Sequence, residues 1–218
     1  MKLLGLFLVL TIFWGQGSSL SCTVCLVQGA TFCTGNNVTC PPGRVCASTY
    51  TVNMEDGIKK NEFFGRSCVP ENQCQGPGSF STHNTTSKKG FSCCYTDNCT
   101  PPAPVLSSVN NTQNGHTCPT CTEDGVDWCD AGRTMSCTGD ETMCILQYTN
   151  MSGTISRDSV LRGCATPTIC NIGNQSLITG GLSVQVQISC TGGGGGLHRG
   201  FCGHLLLGLI SWIILSIF

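Results

Sequence analysis

Cysteine is the residue type whose number and spacing could do chemistry in this chain. There are 19 cysteines among 218 residues, about 9% of the sequence, a share that is typical of a disulfide scaffold. Two pairs, Cys22-x2-Cys25 and Cys118-x2-Cys121, also have the spacing of a thiol redox motif or of half a zinc site. In an oxidising compartment we expect structural disulfides instead. The compartment therefore decides the chemistry.

Few other side chains suit catalysis or metal binding. His198 and His204 lie in the C-terminal tail, which leaves His83 and His116, one in each half of the chain. Two separated histidines do not make a zinc site, and we therefore expect neither an enzyme nor a cofactor. An acidic run lacks the spacing and the glycine of an EF-hand, so it predicts a solvated loop rather than a calcium site: Glu123, Asp124, Asp127 and Asp130.

The N-terminus has the pattern of a secretory signal peptide. Lys2 precedes the apolar run 3–14, and the small residues 17–19 offer a cleavage site. We expect the signal peptide to be residues 1–19, which leaves Leu20 as the first residue of the mature chain. A signal anchor is the alternative, but this apolar run is shorter than the roughly 20 residues that span a bilayer. The cysteines are then expected to enter an oxidising compartment.

The C-terminus has the pattern of a glycosylphosphatidylinositol (GPI) attachment signal. A run of five glycines is followed by a spacer and by a largely apolar run of 14 residues that ends the chain. We predict a signal over residues 191–218, with attachment at Gly193 (or Gly192 or Gly194) on the extracellular face of the plasma membrane. A transmembrane helix is one alternative, but the run is short and no basic residue follows it. Attachment would remove Cys202 and leave an even 18 cysteines. Secretion without an anchor is the other alternative.

The cysteine spacing repeats within the chain. Gaps of 2, 7, 6, 5, 21, 5 and 18 residues separate the first eight cysteines, and gaps of 2, 7, 7, 6, 19, 5 and 19 residues separate the eight that begin at Cys118. Eight positions in register indicate two copies of one domain. We place the first copy at residues 20–99 and the second copy at residues 118–190, with the proline-containing segment 100–117 as an extended linker.

The first copy also has a clasp that the second copy lacks. Cys93 and Cys94 are adjacent and Cys99 follows, and a vicinal pair bonds to itself only with backbone strain. If the shared cysteines pair alike in both copies, Cys94 and Cys99 must pair with each other, because they have no counterparts in the second copy. The other eight cysteines of a copy still allow 105 pairings.

The spacing Cys22-x2-Cys25 and the sequence Cys-Cys-Tyr-Thr-Asp-Asn-Cys at 93–99 resemble the three-finger domain of the lymphocyte-antigen and urokinase-receptor superfamily. The resemblance implies a small, disulfide-rich, all-β fold of two tandem three-finger (uPAR-type) domains, in which loops project from a cystine hub. An asparagine usually follows the last cysteine in the family, where this chain has Thr100. The disulfides implied by the resemblance are Cys22–Cys46, Cys25–Cys33, Cys40–Cys68, Cys74–Cys93, Cys94–Cys99, Cys118–Cys144, Cys121–Cys129, Cys137–Cys164 and Cys170–Cys190.

Alternating apolar and polar residues predict strands between the cysteines. The clearest alternation covers residues 182–188, and residues 45–50 and 143–148 are similar. No stretch of the mature chain has a convincing helical period. A unit of about 75 residues buries little apolar surface, so we expect disulfides, each typically worth ~2–5 kcal/mol, to supply much of its stability.

The second copy resembles one branch of this superfamily more narrowly. Residues 137–144 and 162–166 look like the second domain of the gamma-type phospholipase A2 inhibitors, two-domain proteins that bind and block secreted phospholipases. The resemblance implies a non-catalytic extracellular binding protein that captures or inhibits a secreted phospholipase A2. The alternative is a cell-surface receptor or adhesion protein for another protein ligand, because the serum inhibitors lack a GPI tail. Nucleic acid is not an expected partner.

Two loops are candidates for contact with a protein ligand. The second copy has seven acidic and three basic residues, whereas the first copy has five and six, so we expect a negative face that steers a basic ligand. The acidic loop supplies Glu123, Asp124 and Asp127 as contact candidates. The predicted second finger of the first copy exposes apolar residues among mixed charges, and its candidates are Met54, Glu55, Ile58 and Lys59.

Asparagine sequons mark surface that glycans would cover. Asn98 fits the sequon, but it lies in the short loop between Cys94 and Cys99 and is the least suited to modification. Asn150 is predicted at the tip of the second finger of the second copy, where a glycan would shield it; the matching finger of the first copy has no sequon. The predicted glycosylation sites are Asn37, Asn84, Asn110, Asn150 and Asn174.

Overall fold

The computed structural model of the chain describes residues 19–153, 156–179 and 181–192. The predicted signal peptide up to residue 18, the predicted attachment signal from residue 193 onward and Cys202 lie outside the described residues. Within the described ranges, no helix has both the length and the apolar character that crossing a bilayer requires. The architecture is mostly β-strand.

The first copy is built from six strands, β1 (Ser21–Gln28), β2 (Asn36–Thr39), β3 (Arg44–Glu55), β4 (Ile58–Pro70), β5 (Gly78–Ser81) and β6 (Thr85–Cys94). They pair in the order β5-β6-β3-β4-β1-β2, and every pairing is antiparallel. Strand β3 is central because it pairs with β4 along one edge and with β6 along the other.

The second copy contains β7 (Gln113–Pro119), β8 (Cys121–Asp124), β9 (Thr134–Thr138), β10 (Met143–Gly153), β11 (Arg157–Ala165), the helix α1 (Pro167–Ile172), β12 (Gln175–Thr179) and β13 (Leu182–Gly192). Its main sheet has the order β12-β13-β10-β11, with β8 on the edge of β11 opposite β10, while β7 and β9 form a separate two-stranded sheet. This order matches β5-β6-β3-β4-β1 of the first copy, as the cysteine repeat predicts.

The helix α1 is the element that the sequence does not predict, whereas the three alternating stretches all lie in strands, namely β3, β10 and β13. The helix has only six residues, which is too short to display a helical period. Pro167 stands in its first turn, and Gly173 ends it with a φ of 66°. The helix is therefore defined by its two ends rather than by a pattern.

Nine disulfides join the cysteines of the described chain. They are the nine pairs that the family resemblance implies, including the clasp Cys94–Cys99. The hub of the first copy buries Cys22, Cys40 and Cys46. The hub of the second copy likewise buries three of its own cysteines. Cystine therefore takes the place of large apolar side chains at each hub, as expected for units this small.

The clasp closes the first copy onto its own N-terminal strand. The Asn98 N–H donates to Ser21 O at 2.9 Å, and the Ser21 N–H donates to Asp97 Oδ1 at 2.7 Å. Asn98 has a φ of 55°, a left-handed conformation that asparagine tolerates better than most residues. The clasp thus satisfies backbone groups at the start of β1 that would otherwise need water.

The segment between the copies packs on the first copy. Lys88 Nζ donates to Ser107 O at 3.1 Å. A Cβ on Gly90 would lie 2.5 Å from Val105 O, so the glycine allows the linker to approach β6 closely. Strand β7 begins at Gln113, so the last residues of the predicted linker belong to the β7–β9 sheet of the second copy.

The two copies share one sheet because β5 of the first copy pairs with β11 of the second. Cys164 pairs with Ser81 and Ala165 with Phe80, while residues 159–162 of β11 pair with β8. Strands β5 and β8 therefore cover the same edge of β11, end to end. An edge that would expose unpaired backbone groups is closed in this way by both copies.

A hydrophobic cluster spans the contact between the copies. Its buried members are Phe91 of the first copy and, in the second copy, Ile145, Ala165, Ile169 and Ile172. Two of these lie on α1, so the unpredicted helix carries part of the contact. Burying a side chain such as isoleucine or phenylalanine contributes ~1.5–3 kcal/mol, and the cluster therefore stabilises the arrangement of the two copies.

A buried carboxylate adds hydrogen bonds to the same contact. Glu141 Oε1 of the second copy accepts from Ser79 Oγ at 2.7 Å and from Ser81 Oγ at 3.0 Å. Its other oxygen, Oε2, has no partner within the described part of the chain. Burial raises the pKa of this carboxyl, while the two hydroxyls and the charge of Lys88 act in the opposite direction.

Candidate protein-binding surface

The acidic residues singled out in the sequence lie in one exposed loop of the second copy. The disulfide Cys121–Cys129 closes the loop, and residues 122–128 are all exposed. The Gly125 N–H donates to Asp158 O at 2.7 Å, and with a φ of 77° Gly125 turns the chain away from β8. We call residues 121–130 the acidic loop; it presents Glu123, Asp124, Asp127 and Asp130.

The same loop exposes two apolar side chains that the sequence analysis did not single out. Trp128 is 61% exposed and Val126 is 43% exposed. The signal was present in the sequence, because a tryptophan beside Cys129 in a short disulfide-closed loop has no core into which to fold. Exposed tryptophans are frequent hot spots of protein interfaces. The acidic loop therefore offers an apolar anchor among negative charges.

The first copy exposes an aromatic side chain at the equivalent position. Phe32 precedes Cys33 as Trp128 precedes Cys129, and Phe32 is 58% exposed. The guanidinium carbon of Arg66 lies 4.8 Å from the centroid of the Phe32 ring, a cation–π arrangement. The aromatic side chain stands beside a cation in one copy and among carboxylates in the other, so the two positions suit different partners.

Only part of the negative charge of the acidic loop is neutralised locally. Asp124 forms an ion pair with Arg157, and both side chains are exposed, so the pair contributes little to stability. The neighbouring Asp158 accepts a hydrogen bond from Tyr148 Oη at 3.0 Å, which raises the pKa of Tyr148, and the charge of Asp127 adds a smaller increase. The other acidic residues of the loop form no ion pair within the described ranges.

The second finger of the first copy ends in a two-residue turn. Asp56 and Gly57 have φ values of 50° and 76°, the turn geometry that an Asp-Gly sequence favours in hairpins. Ile58 follows the turn and is 65% exposed. Met54, which is expected to be exposed, is half-buried near the end of the central strand β3.

Both lysines of this hairpin tip, residues 54–60, form ion pairs. Lys59 Nζ lies 3.1 Å from Glu62 Oε2, and Lys60 Nζ lies 3.2 Å from Glu55 Oε2. Tyr50 Oη also donates to Glu62, and this hydrogen bond is the main reason why the pKa of Glu62 is lowered. The tip therefore presents Ile58 among balanced charges, in contrast to the acidic loop.

The turn between β5 and β6 connects the hairpin tip with the acidic loop. Asn84 O accepts from the Asp56 N–H at 2.9 Å, and the His83 N–H donates to Thr120 Oγ1 at 3.1 Å, next to the first residue of β8. The two candidate regions therefore flank the same turn. Asn84 is a predicted glycosylation site and is exposed, so a glycan there would stand beside the tip, which has no sequon of its own.

Asn150 is not at a finger tip as predicted. It lies on β10 and pairs with Asp158 on one side and with Gln185 on the other. It is half-buried, and its Nδ2 donates to Asp158 Oδ1 at 2.6 Å. The other predicted glycosylation sites are exposed: Asn37, Asn84, Asn110 and Asn174.

The Cys-x2-Cys pairs hold no free thiols. Cys22 and Cys25 belong to two different disulfides, with Cys46 and Cys33, and the equivalent pair of the second copy is bonded in the same way. Three groups of cysteine sulfurs lie within 4.8 Å of one another, and all their members are in disulfides. Redox exchange and zinc binding both need a thiolate, which these groups do not offer.

The motifs that resemble the phospholipase inhibitors lie at the contact between the copies, not on an exposed loop. Glu141 binds the two serines of β5, and Thr166 Oγ1 accepts from the Ser79 N–H at 3.1 Å. A Cβ on Gly163 would lie 1.9 Å from Ser81 O, so only glycine allows β5 and β11 to approach this closely. The motifs therefore bear directly on how the copies are joined.

The amino-acid sequence matches the family model of the u-PAR/Ly-6 domain over residues 18–102 and 114–194. It is 27% identical to the phospholipase A2 inhibitor NAI of Notechis ater over 182 residues, which cover 82% of this chain and 90% of that protein. It is also 27% identical to a gamma-type phospholipase A2 inhibitor of Laticauda semifasciata, over 79% of this chain and 96% of that protein.

The chain is also similar to a larger receptor and to a solved structure. It is 30% identical to the urokinase plasminogen activator surface receptor of Aotus trivirgatus over 55% of this chain, but it spans only 35% of that receptor's length. The structure of mouse TEX101 aligns with 79% of this chain and 99% of its own, at 20% identity and a TM-score of 0.34. By name these curated relatives are inhibitors and a receptor, not enzymes. Because both halves of the described chain match the domain model, the chain belongs to the u-PAR/Ly-6 domain family.

Proposed function

We propose that this chain is a non-catalytic extracellular binding protein that is held to the outer leaflet by GPI and that binds and inhibits a secreted phospholipase A2. The observation that carries the proposal is the likeness to phospholipase A2 inhibitors over nearly their whole length, 90% and 96% of two such proteins. The likeness covers both copies, so it concerns the joined pair rather than one isolated domain.

The acidic loop supports a ligand with a basic surface. Three of its carboxylates have no basic partner among the described residues, and opposite charge accelerates the encounter of two proteins more than it strengthens their complex. Trp128 supplies the apolar contact that carries affinity. Ile58 at the hairpin tip is a second apolar contact, because the tip and the loop flank the turn at His83 and Asn84.

The proposed location rests on the sequence of the two ends and on the disulfides. The N-terminal signal pattern and the nine disulfides are those of a chain that matures in an oxidising compartment. The glycine run followed by an apolar terminus favours GPI attachment at Gly193 (or Gly192 or Gly194). The ligand would then be met at the outer face of the plasma membrane.

A surface receptor for a different protein ligand is the second candidate. The likeness to the urokinase plasminogen activator surface receptor, at 30% identity over 55% of this chain, favours it, and so does the predicted anchor. Under this candidate the acidic loop and the hairpin tip contact a partner other than a phospholipase.

One experiment tests the anchor and the ligand together. The full chain is expressed in animal cells, the cells are treated with phosphatidylinositol-specific phospholipase C, and the released protein is purified and weighed by intact mass after deglycosylation. A panel of secreted phospholipases A2 with different surface charge then hydrolyses phosphatidylglycerol vesicles with and without the released protein, after the releasing enzyme has been removed.

We expect release of a protein with nine disulfides and without Cys202, and dose-dependent slowing of the more basic phospholipases. Failure of the protein to bind or slow any member of the panel would reject phospholipase inhibition and leave the receptor candidate. Retention on treated cells with Cys202 still present would reject the GPI anchor, whichever ligand the protein binds.

A further inference from the structure

A cavity of about 660 Å³ lies between the two copies. The first copy contributes residues of β3, β4 and β6, and the second copy contributes residues 174–176 and 184–187. Cavities of this volume are typical of small-molecule sites, and such sites are common at the contact between domains. Neither the acidic loop nor the hairpin tip lines the cavity.

Lys89 of β6 lines this cavity and has no acidic partner. Its Nζ donates to Gln175 Oε1 at 3.3 Å and lies 5.0 Å from the centroid of the Phe91 ring. Within the described ranges Lys89 forms no ion pair. A neutral amide oxygen and an aromatic face therefore stand in place of an acidic partner beside this half-buried ammonium group.

The charge of the cavity lining is entirely positive. Arg44 is the other charged residue among the described residues that line it, and none of them is acidic. Arg44 Nη1 donates to Cys68 O at 3.3 Å, which leaves the other donors of its guanidinium available. Burial lowers the pKa of Lys89 to about 8, which is the effect of holding a cation in protein without a counter-charge.

A second cavity of about 280 Å³ adjoins the first. The two share Lys89, Gln175 and Val186 in their linings, so Lys89 stands at their boundary. The second cavity is lined largely by side chains of the contact between the copies, among them Phe80, Ile169, Ile172 and Ile188. At Lys89 the positive cavity therefore meets a space that is lined in part by apolar side chains.

We propose that these two cavities form a binding site for an amphiphilic organic anion, with a carboxylate or phosphate head at Lys89 Nζ and an alkyl body against the apolar residues. The head would supply the counter-charge that Lys89 lacks in the described chain. The alkyl body would fill space between the copies. This site lies apart from the acidic loop and does not depend on the proposed function.

The first test measures binding of four probes to the released, folded protein by titration calorimetry at pH 7: decanoate, decyl phosphate, decyltrimethylammonium and inorganic phosphate. We expect the two alkyl anions to bind at least tenfold more tightly than the alkyl cation and than phosphate alone. A preference for decanoate would indicate a fatty acid, and a preference for decyl phosphate a phosphorylated lipid. Equal binding of the alkyl cation, or no binding of either alkyl anion, would overturn the proposal.

Variants at Lys89 separate the site from general binding to apolar surface. Lys89→Met keeps most of the length of the side chain and removes the charge, and we expect at least tenfold weaker binding of decanoate, whereas Lys89→Arg should keep most of the parent affinity. Lys60→Met is the matched control, because Lys60 is an exposed lysine of the hairpin tip, and it should bind like the parent protein.

The melting temperatures of the Lys89 variants show whether a loss of decanoate binding is caused by misfolding. Lys89→Met should melt at the same temperature as the parent or higher, because it removes a poorly compensated charge. Decanoate affinity of the parent should also fall as pH rises through about 8, where the ligand-free Lys89 loses its proton. Undiminished decanoate binding to a folded Lys89→Met protein would refute the assignment of the anion to Lys89.

Discussion

At the scale of single residues, the two copies use the same position for different surfaces. Phe32 and Trp128 each precede a cysteine of the first-finger disulfide, and both are more than half exposed. Arg66 stands over the ring of Phe32, whereas Trp128 is flanked by carboxylates. The repeat thus keeps an exposed aromatic position in both copies while its electrostatic surroundings change.

Replacing Trp128 should weaken the binding of a basic ligand without changing the fold. For Trp128→Ala we expect a loss of about 2 kcal/mol, or roughly 30-fold in Kd, because an exposed tryptophan anchor is lost from the interface. Surface plasmon resonance with a phospholipase that binds the parent protein measures the change.

The matched control is Phe32→Ala, which removes the equivalent aromatic side chain beside Arg66. It should leave affinity within about twofold, which corresponds to less than ~0.5 kcal/mol. Neutralising the loop as Glu123→Gln, Asp124→Asn, Asp127→Asn and Asp130→Asn should chiefly slow association and flatten its salt dependence. An unchanged association rate in the neutralised protein would contradict the role of the acidic loop.

At the scale of secondary-structure elements, β11 is the strand on which the arrangement depends. One edge of β11 pairs with β10, and the other carries β8 and β5 end to end. Gly163 lies between these two partners, where a side chain would meet the backbone of Ser81. The copies are therefore joined along one edge of β11, and Gly163 allows β5 to follow β8 along that edge.

Gly163→Ala should weaken the β5–β11 contact. The added Cβ would lie 1.9 Å from Ser81 O and 3.2 Å from Thr82 Cα, and backbone atoms cannot give way as a flexible side chain does. We expect a destabilisation of about 1–3 kcal/mol or more, measured by chemical denaturation, together with a larger radius of gyration in X-ray scattering.

Gly132→Ala is the control for glycine substitution itself, because its Cβ would meet only the flexible carboxylate of Asp130 at 3.3 Å. It should change stability by less than about 1 kcal/mol, in line with other surface substitutions. If Gly163→Ala melts like Gly132→Ala and keeps its radius of gyration, the close contact between β5 and β11 does not exist in solution.

At the scale of the whole molecule, the copies meet through apolar packing around a buried carboxylate. Glu141 reaches across to Ser79 and Ser81 beside the cluster formed by Phe91, Ile145 and the helix α1. Burial raises the pKa of Glu141 above its ordinary value of 4.5. The folded protein therefore holds this proton more tightly than the unfolded chain does.

Glu141 should make the contact between the copies more stable at mildly acidic pH. A carboxyl with a raised folded pKa contributes stability that is fully present below its unfolded pKa and is lost as pH rises through its folded pKa. As pH falls from 7 to about 4.5, the melting temperature of the parent should rise relative to that of Glu141→Gln, which carries no titrating group at this position. Differential scanning calorimetry across this range measures the two profiles.

Asp140→Asn is the matched control, because Asp140 is the exposed neighbour of Glu141. Its profile should follow that of the parent protein. Superimposable profiles of the parent and of Glu141→Gln would show that the pKa of the buried Glu141 carboxyl is not raised by folding.

The framework of the fold was predictable from the sequence because covalent bonds define it. The spacing of the cysteines indicated the repeat, and the family resemblance implied the nine pairs that the structure contains. Alternation identified strands β3, β10 and β13. The six-residue helix α1 and the early start of β7 at Gln113 were not predictable, because both are set by capping and pairing rather than by periodicity.

The candidate surface was predictable in part. Acidic residues close together in sequence had to share one loop, and Ile58 next to an Asp-Gly turn had to be near a tip. Asn150 was placed wrongly, because it lies within β10 and is paired on both sides, whereas Met54 lies at the tip but is half-buried rather than exposed. Trp128 was missed because a tryptophan is usually taken as core, and only its position beside Cys129 argues otherwise.

By itself, then, the sequence determined the spacing of the cysteines, the two-copy organisation and the charge of the acidic loop, since each depends on residues near in sequence, whereas the cystine pairs came from the family resemblance. Tertiary structure decided how the copies join and what lies between them. Glu141, Gly163 and Lys89 are inconspicuous in sequence, and their roles arise from contacts with residues about 60 to 90 positions away. Burial and close approach of this kind depend on the packing of one copy against the other, which no local pattern encodes.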